Sequence, residues 1–529
     1  MKKIQAILIL LLSLAGASLP ARAEGKYGLI LAEVEKYALK VAGEWKIPGM
    51  SMAIIKGDSV IFCKGFGIKN LDRPKDRFGP EEEVTGKTMF HAGSMTKAFT
   101  ATVIASLADE GLLSWEDTVK NILPDFEWAD DSIGSIMQVK DLLTHTTGLA
   151  AQAGTYIPNI GYGRDDIYAM LKYIRPLYPF REKFAYNNIT FIIAAKVIEK
   201  VSGMSWEENV RQRIMVPLGM SSSSPDMESY IKAGDSACSG HYFGYGKDSG
   251  GNPGIKVFPF YGEDRALHWI NVMAPAGGIS TNAEDMARWV MFHMNNGCTD
   301  SVRLISEREM SRMHGRAVTV SEGPTTGKYY GYCWYIEDNG EYSTIYHTGT
   351  TWGFTGICGF VPEIDLGMVI LCNSEVSEYA RKALMKRITD LFINPQADPD
   401  SLSDPSREGL LQWFSERGKT RKRVAVTPVK RSSAIPEPEA VTGVYRKDWP
   451  FGDAVVSAEN GKLYLEIGRY GWKHRLKHHR GNEFWLTSGG HTYAVFFNNY
   501  TEGDAGSVEM VIDFNYNEDF GPWLLLPSP

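Results

Sequence analysis

Apolar and polar positions follow two different rhythms along this chain, and the change comes near residue 441. Before it, helix-like and strand-like runs are mixed. Residues 30–45 read as a helix. Two strand-like runs follow, Ile47 to Ile55 and Val60 to Gly67, with Lys56-Gly57-Asp58-Ser59 as the turn between them. Residues 94–185 read as mainly helical, broken by loops rich in Gly, Pro and aromatics. A further helix is expected from Asn188 to Val201, stopping at Ser202-Gly203. Another opens at Ser280-Thr281-Asn282-Ala283-Glu284-Asp285, where a capping residue is followed by acids in the first turn. Three strand-like runs come next, Thr344–His347, Phe354–Val361 and Leu366–Cys372, and a helix around Ser377–Asn394 closes the unit. Strands at both ends with helices between predict an α/β sandwich whose two ends join in one sheet.

Residues 396–440 are rich in Pro, Ser and charge and read as a linker. From Val441 the runs are short and alternating: Val441–Tyr445, Ala454–Ser457, Lys462–Ile467, Glu483–Leu486, Thr492–Asn498 and Val508–Phe514. Asn460-Gly461 is a hairpin turn between two of them. Residues 441–529 are therefore expected to form a separate all-β, barrel-like domain.

The N-terminus changes the picture of location. Lys2 and Lys3 precede an apolar run from Ala6 to Ala15, and Ala21-Arg22-Ala23 has the form of a cleavage site. Residues 1–23 read as a signal peptide, which leaves a first domain at 24–395. No Cys stands near the cleavage site, and the apolar run is too short for a comfortable membrane span. The expected product is soluble, periplasmic or secreted, with no stable membrane anchor. The formal charge of −7 argues against nucleic acid as a partner, and the basic cluster Arg417, Lys419, Arg421, Lys422, Arg423 reads as a solvated face. The six cysteines include no C-x-x-C pair, so no zinc or thioredoxin-type site is expected. They read as buried small residues, with Cys358 and Cys372 in consecutive strand-like runs as the one pair placed for a bridge.

Candidate chemistry centres on Ser94-Met95-Thr96-Lys97. A serine hydroxyl needs a base before it attacks. Residues three apart on a helix share a face, so one turn brings the amine to the hydroxyl. A desolvated lysine has a lowered pKa and serves as that base. A second copy, Ser229-Tyr230-Ile231-Lys232, has no long apolar helix behind it and reads as chance. Tyr186-Asn187-Asn188 precedes a helix: a phenol near a lysine can relay a proton, and the Asn188 carboxamide can hold the lysine or a substrate amide. His347-Thr348-Gly349-Thr350 ends a strand on a small residue, which lets a substrate backbone approach. The Thr350 amide would then join the Ser94 amide in an oxyanion hole.

These three motifs, in this order, resemble the serine penicillin-recognising superfamily of class C β-lactamases, DD-peptidases, D-amino-acid peptidases and family VIII esterases. Leu142-Leu143-Thr144-His145-Thr146-Thr147-Gly148-Leu149 and Pro275-Ala276-Gly277-Gly278-Ile279-Ser280-Thr281 look like that family too. The resemblance implies a β-lactamase/transpeptidase-like antiparallel sheet flanked by helices, with a C-terminal lipocalin-like domain. It implies Ser94 as acylated nucleophile, Lys97 as its base and Tyr186 as proton shuttle. Asn188, His347, Gly349 and Thr350 would bind substrate, a small molecule or peptide, and neither metal nor cofactor is implied. His347 stands where β-lactamases of the family carry Lys. Histidine is mostly neutral at pH 7, which argues against a β-lactamase and for esters or D-amino-acid amides and peptides. A β-lactamase and a catalytically weak muropeptide or β-lactam sensor are the alternatives. Acyl preference is expected to lie in the loops 150–180 and 240–275. Other signatures fail. There is no Gly-x-Ser-x-Gly elbow and no H-E-x-x-H, and Glu81–Glu83 spoil the phosphate-loop mimic that ends in Gly86-Lys87-Thr88. His145 is expected to order its loop.

Overall fold

The computed structural model describes residues 23–71, 83–247, 253–259, 264–299, 302–323, 326–375, 378–416, 432–488, 491–499, 508–513 and 523–525. Residues 1–22 of the segment read as a signal peptide and the basic cluster 417–423 lie outside them. Helix α1 (Ala23–Glu44) leads into the hairpin β1 (Gly49–Lys56) and β2 (Ser59–Gly67). Helix α2 (Thr96–Asp109), which starts in the Ser-x-x-Lys motif, and helix α3 (Thr190–Ser202) follow, then α4 (Ala283–Met294). Six strands close the sheet: β3 (Val318–Glu322), β4 (Gly327–Tyr330), β5 (Tyr335–Asp338), β6 (Ser343–Thr351), β7 (Phe354–Val361) and β8 (Leu366–Cys372). Helix α5 (Glu378–Ile393) ends the unit.

The sheet order is β2-β1-β8-β7-β6-β5-β4-β3, antiparallel throughout. The first strand pairs with the last, Met52 opposite Ile370, so the two ends of the domain share one sheet. Strand period explains how one sheet feeds two cores. Met50, Met52 and Ile54 pack with α1 and α5, while Ala53 and Ile55 face the core that holds α2 and α4. A central strand buried on both faces has no polar side, and β7 and β8 are buried at every position.

Three strands, β3 to β5, escape sequence reading. They are short, partly exposed and without clean alternation. The segment read as linker also differs at its start. Tyr37 Oη donates to Asp404 at 2.8 Å, Trp45 Nε1 donates to Ser406 Oγ at 2.7 Å, and helix α6 (Pro405–Glu416) follows. The Pro and Ser texture there belongs to a helix start docked on α1. All six cysteines are free. Cys358 lies opposite Val369 and Cys372 opposite Thr355, so the pair suited to a bridge is out of register.

The C-terminal domain is a closed eight-stranded barrel. Its strands are β9 (Gly443–Arg446), β10 (Ala454–Glu459), β11 (Lys462–Ile467), β12 (Trp472–Arg480), β13 (Glu483–Ser488), β14 (His491–Asn498), β15 (Glu509–Asp513) and β16 (Trp523–Leu525), and β16 pairs back to β9. Closure leaves no free sheet edge. Asn460 and Gly461 both have positive φ, 49° and 70°, as a two-residue hairpin turn requires. Strand β12 hides from the hydropathy pattern because Lys473, Arg475 and Lys477 line its outward face while only His474 and Leu476 point in. The barrel packs on residues 156–166. Tyr493 Oη donates to Tyr156 O, Ser488 Oγ to Asn159 O and Tyr162 Oη to Phe451 O, at 3.0, 2.7 and 2.8 Å. Arg469 pairs with the buried Asp166 at 2.6 Å.

Candidate active site

Ser94 sits on a single 3₁₀ turn, Gly93–Met95, that runs into α2. Strand β6 crosses directly over this turn. A Cβ on Gly93, whose φ is +54°, would lie 2.8 Å from Thr350 N, and one on Gly349 would lie 1.8 Å from Ala92 O and 3.3 Å from Ser94 N. Glycine at both places is therefore a steric requirement. It brings the backbone of Ser94 and of Thr350 together, where two amides can hold one oxyanion.

Helix α2 is apolar on all sides, with eleven of its fourteen residues buried, and so runs through the core. Lys97 in its first turn is fully buried. Its Nζ has three partners: Ser94 Oγ at 3.1 Å, Asn188 Oδ1 at 2.6 Å and Ala276 O at 2.9 Å. None is a carboxylate. Burial without a counter-charge penalises the ammonium and lowers the pKa to about 7. In the neutral amine the two N–H bonds satisfy Asn188 and Ala276, and the lone pair is left for the serine proton. The stretch that supplies Ala276 O is strapped along α2. Thr100 Oγ1 donates to Pro275 O at 2.7 Å, and Ile279 N donates to Thr96 Oγ1 at 3.1 Å.

Asn188 lies just before α3. Its Oδ1 takes the lysine, and its Nδ2 donates to Gln152 Oε1 at 3.0 Å and Thr155 Oγ1 at 3.3 Å. The carboxamide is thus oriented by both ends. Tyr186 is half-buried, with Lys97 Nζ 4.8 Å from its ring centroid. Burial raises its pKa well above the usual phenol value, and a hydrogen bond with Ser94 and the charge of Arg381 oppose that rise. It stays a phenol beside a neutral amine, which suits a relay. The His145 ring lies against it at 4.2 Å.

The third motif divides. Gly349 and Thr350 lie at the serine, and Thr350 is exposed. His347 is fully buried. Its Nδ1 donates to Thr348 O at 2.7 Å and its Nε2 is 3.0 Å from the Tyr330 hydroxyl. Burial lowers its pKa to about 3, so it supplies no cation. One does stand behind this strand. Arg381 of α5 is buried, and its Nη1 donates to Gly349 O and, at 3.2 Å, to Thr350 Oγ1. With Oγ1 accepting from arginine, the threonine O–H is free to point outward.

Sequence reasoning missed Gln152, the Ala276 carbonyl, Tyr330 and Arg381, since none sits at motif spacing. The 275–281 stretch was a signal for the carbonyl. The second Ser-x-x-Lys lies on the short helix Met227–Lys232, where Lys232 is exposed and pairs with Glu228 at 2.7 Å. It lacks the burial that would make its amine a base.

Known proteins share this fold. The chain is 27% identical over 432 residues to an unguisins hydrolase of Aspergillus campestris, covering 78% of this chain and 74% of that one. It is 23% identical over 350 residues to protein flp of Staphylococcus aureus strain MW2, covering 66% and 64%. Among solved structures, it shares the fold of the octameric penicillin-binding protein homologue from Pyrococcus abyssi. The TM-score is 0.59 at 22% identity, covering 93% of this chain and 99% of that one. It also shares the fold of D-amino acid amidase from Ochrobactrum anthropi SV3, with a TM-score of 0.52 at 17% identity over 68% and 98%. Residues 38–389 match the Beta-lactamase family. With the antiparallel sheet and its flanking helices in place, the chain belongs to the Beta-lactamase family, whose members are serine hydrolases.

Proposed function

We propose that the protein is an exported hydrolase that acts through a Ser94 acyl-enzyme on small esters or on amides and peptides of D-amino acids. The observation that carries this reading is Lys97 Nζ, buried without an acid partner, 3.1 Å from Ser94 Oγ. The substrate carbonyl enters against the amides of Ser94 and Thr350. The neutral Lys97 amine takes the serine proton as Oγ attacks. Tyr186 relays a proton to the leaving group, and its phenolic state at neutral pH makes it a donor. Water then attacks the acyl-enzyme by the reverse path. Asn188 holds the lysine in place.

The unguisins hydrolase and the D-amino acid amidase support an acyl substrate outside the β-lactams. The buried, uncharged His347 supports the same choice. Export rests on the charged, apolar and A-x-A pattern of residues 1–23. The test is a fluorophosphonate label located by mass spectrometry, followed by rates on nitrophenyl esters, D-alanine amides and nitrocefin. Label on Ser94, with turnover best outside nitrocefin, is expected. Label elsewhere, or none, overturns the nucleophile.

A further inference from the structure

Behind Tyr186 the structure holds a buried chain of polar groups that the acyl-transfer scheme does not use. Asn187 N donates to His145 Nδ1 at 3.1 Å, so that nitrogen is bare and the His145 proton sits on Nε2. His145 Nε2 is 3.3 Å from the Tyr330 hydroxyl. At the other end His347 Nδ1 is 2.7 Å from Thr348 O, an acceptor only, so the His347 proton sits on Nδ1 and Nε2 is bare. Tyr330 Oη, 3.0 Å from that bare nitrogen, must donate to it. The two backbone groups thus leave one consistent direction: His145 Nε2–H to Tyr330 Oη, and Tyr330 O–H to His347 Nε2. His145, Tyr330 and His347 are all buried.

A proton added to His347 would break this order. Two N–H groups would converge on the Tyr330 oxygen, and the tyrosine hydrogen would lose its acceptor. The basic neighbours of His347 act the same way whenever they carry a proton, since Lys97, Arg381 and Lys328 all repel a charge on it, while Tyr186, Tyr335 and Cys358 around it are held neutral by burial. The chain also ends on the catalytic phenol, because the His145 ring packs against Tyr186.

We propose that Tyr330 is a positioning residue of the acyl-transfer site: its hydroxyl bridges His145 and His347, whose opposite neutral tautomers the Asn187 N–H and the Thr348 carbonyl select, and so sets the ring that supports Tyr186 and leaves Lys97 and Tyr186 as the sole proton couple. The proposal rests on the Ser94 acyl-enzyme for its kinetic consequence, but the tautomers can be read without any substrate. The full chain is labelled with ¹⁵N-histidine, and the His347 signals are assigned by their loss in His347→Gln. The expected spectrum has His347 protonated on Nδ1 and one buried ring, His145, protonated on Nε2, neither titrating between pH 5 and 9. A proton on His347 Nε2, or titration of His347 in that range, overturns the proposal even if Ser94 is labelled. In Tyr330→Phe the tautomers selected by the backbone are expected to persist, while the Nε2 signals of His145 and His347 shift as each loses its partner. On the best substrate kcat should fall about tenfold with KM within about twofold, the low end of what one proton-transfer group contributes. Unchanged Nε2 signals of both rings together with unchanged kcat in a folded Tyr330→Phe would equally overturn it. Failure of Ser94 labelling alone would remove the function and leave the tautomer result standing.

Discussion

Lys97 Nζ lies 2.6 Å from Asn188 Oδ1, closer than the 3.1 Å to the serine oxygen it serves. The shortest bond of the amine is to a neutral acceptor. That choice of partner decides its chemistry. A carboxylate in the same place would hold the lysine as a cation and deny it the lone pair that the proposed role as base requires. The carboxamide fixes the amine and leaves its proton free to go.

Asn188→Asp tests this. The new carboxylate should raise the Lys97 pKa by roughly 1–3 units. Activity near pH 7 should then fall by about 5- to 500-fold and recover in part toward pH 9. A pH–rate profile of kcat/KM superimposable on that of the unaltered protein would refute the arrangement.

For the unaltered protein, kcat/KM should rise with pH as Lys97 loses its proton, with a midpoint close to its value of about 7. The sign follows from the base needing to be neutral. A profile flat from pH 5.5 to 8.5 would mean that another group takes the serine proton.

Ser94→Ala should abolish acyl transfer with the fold intact. Lys97→Met and Tyr186→Phe should each lose on the order of 10²–10⁴ in rate. Because they serve one proton path, the double variant should lose far less than the product of the two. Steady-state rates with circular dichroism as a fold check decide it, and fully multiplicative losses would separate the two residues.

Hydrolysis of β-lactams should be weak beside the best ester or amide. His347→Lys should not create it, because both ring nitrogens of His347 are already committed and the new amine would be buried next to Lys97 and Arg381. The variant should melt at a lower temperature. Nitrocefin turnover by His347→Lys at the rate of the best ester would show that an added cation is all that was missing.

Stability should fall on mild acidification. Burial holds His91, His314 and His347 at about 3, against the ordinary histidine value in the unfolded chain. Their contribution is complete above about pH 6.5 and is lost as the pH drops toward 3, because the unfolded chain takes up the extra protons. Each costs up to about 1.4 kcal/mol per pH unit in that window. Urea midpoints measured between pH 7 and 5 should decline, and a constant midpoint would contradict the burial of these rings.

The strand runs at each end of the hydrolase unit, the serine helix and the Asn-Gly turn were legible because a strong local pattern and the final environment agree. Strands β3 to β5 were not, since their half-exposed residues carry no period. Ser94, Lys97, Tyr186 and Asn188 stand at motif spacing and meet in space. Gln152, Tyr330 and Arg381 reach the same place from a loop, a short strand one in from the sheet edge and a late helix, and only the tertiary fold joins them. His347 shows the limit of motif reading: its position in the strand was right, but which way its ring turned depended on Tyr330.

The barrel is joined to the catalytic unit through residues 156–166, and the segment just before them, Gln152 to Thr155, grips the Asn188 carboxamide. Tyr493, bonded to Tyr156 O, therefore stands one residue from Thr155, which holds the Asn188 carboxamide. By covering the 156–166 face the barrel also backs the loop that orients the Asn188 carboxamide beside Lys97.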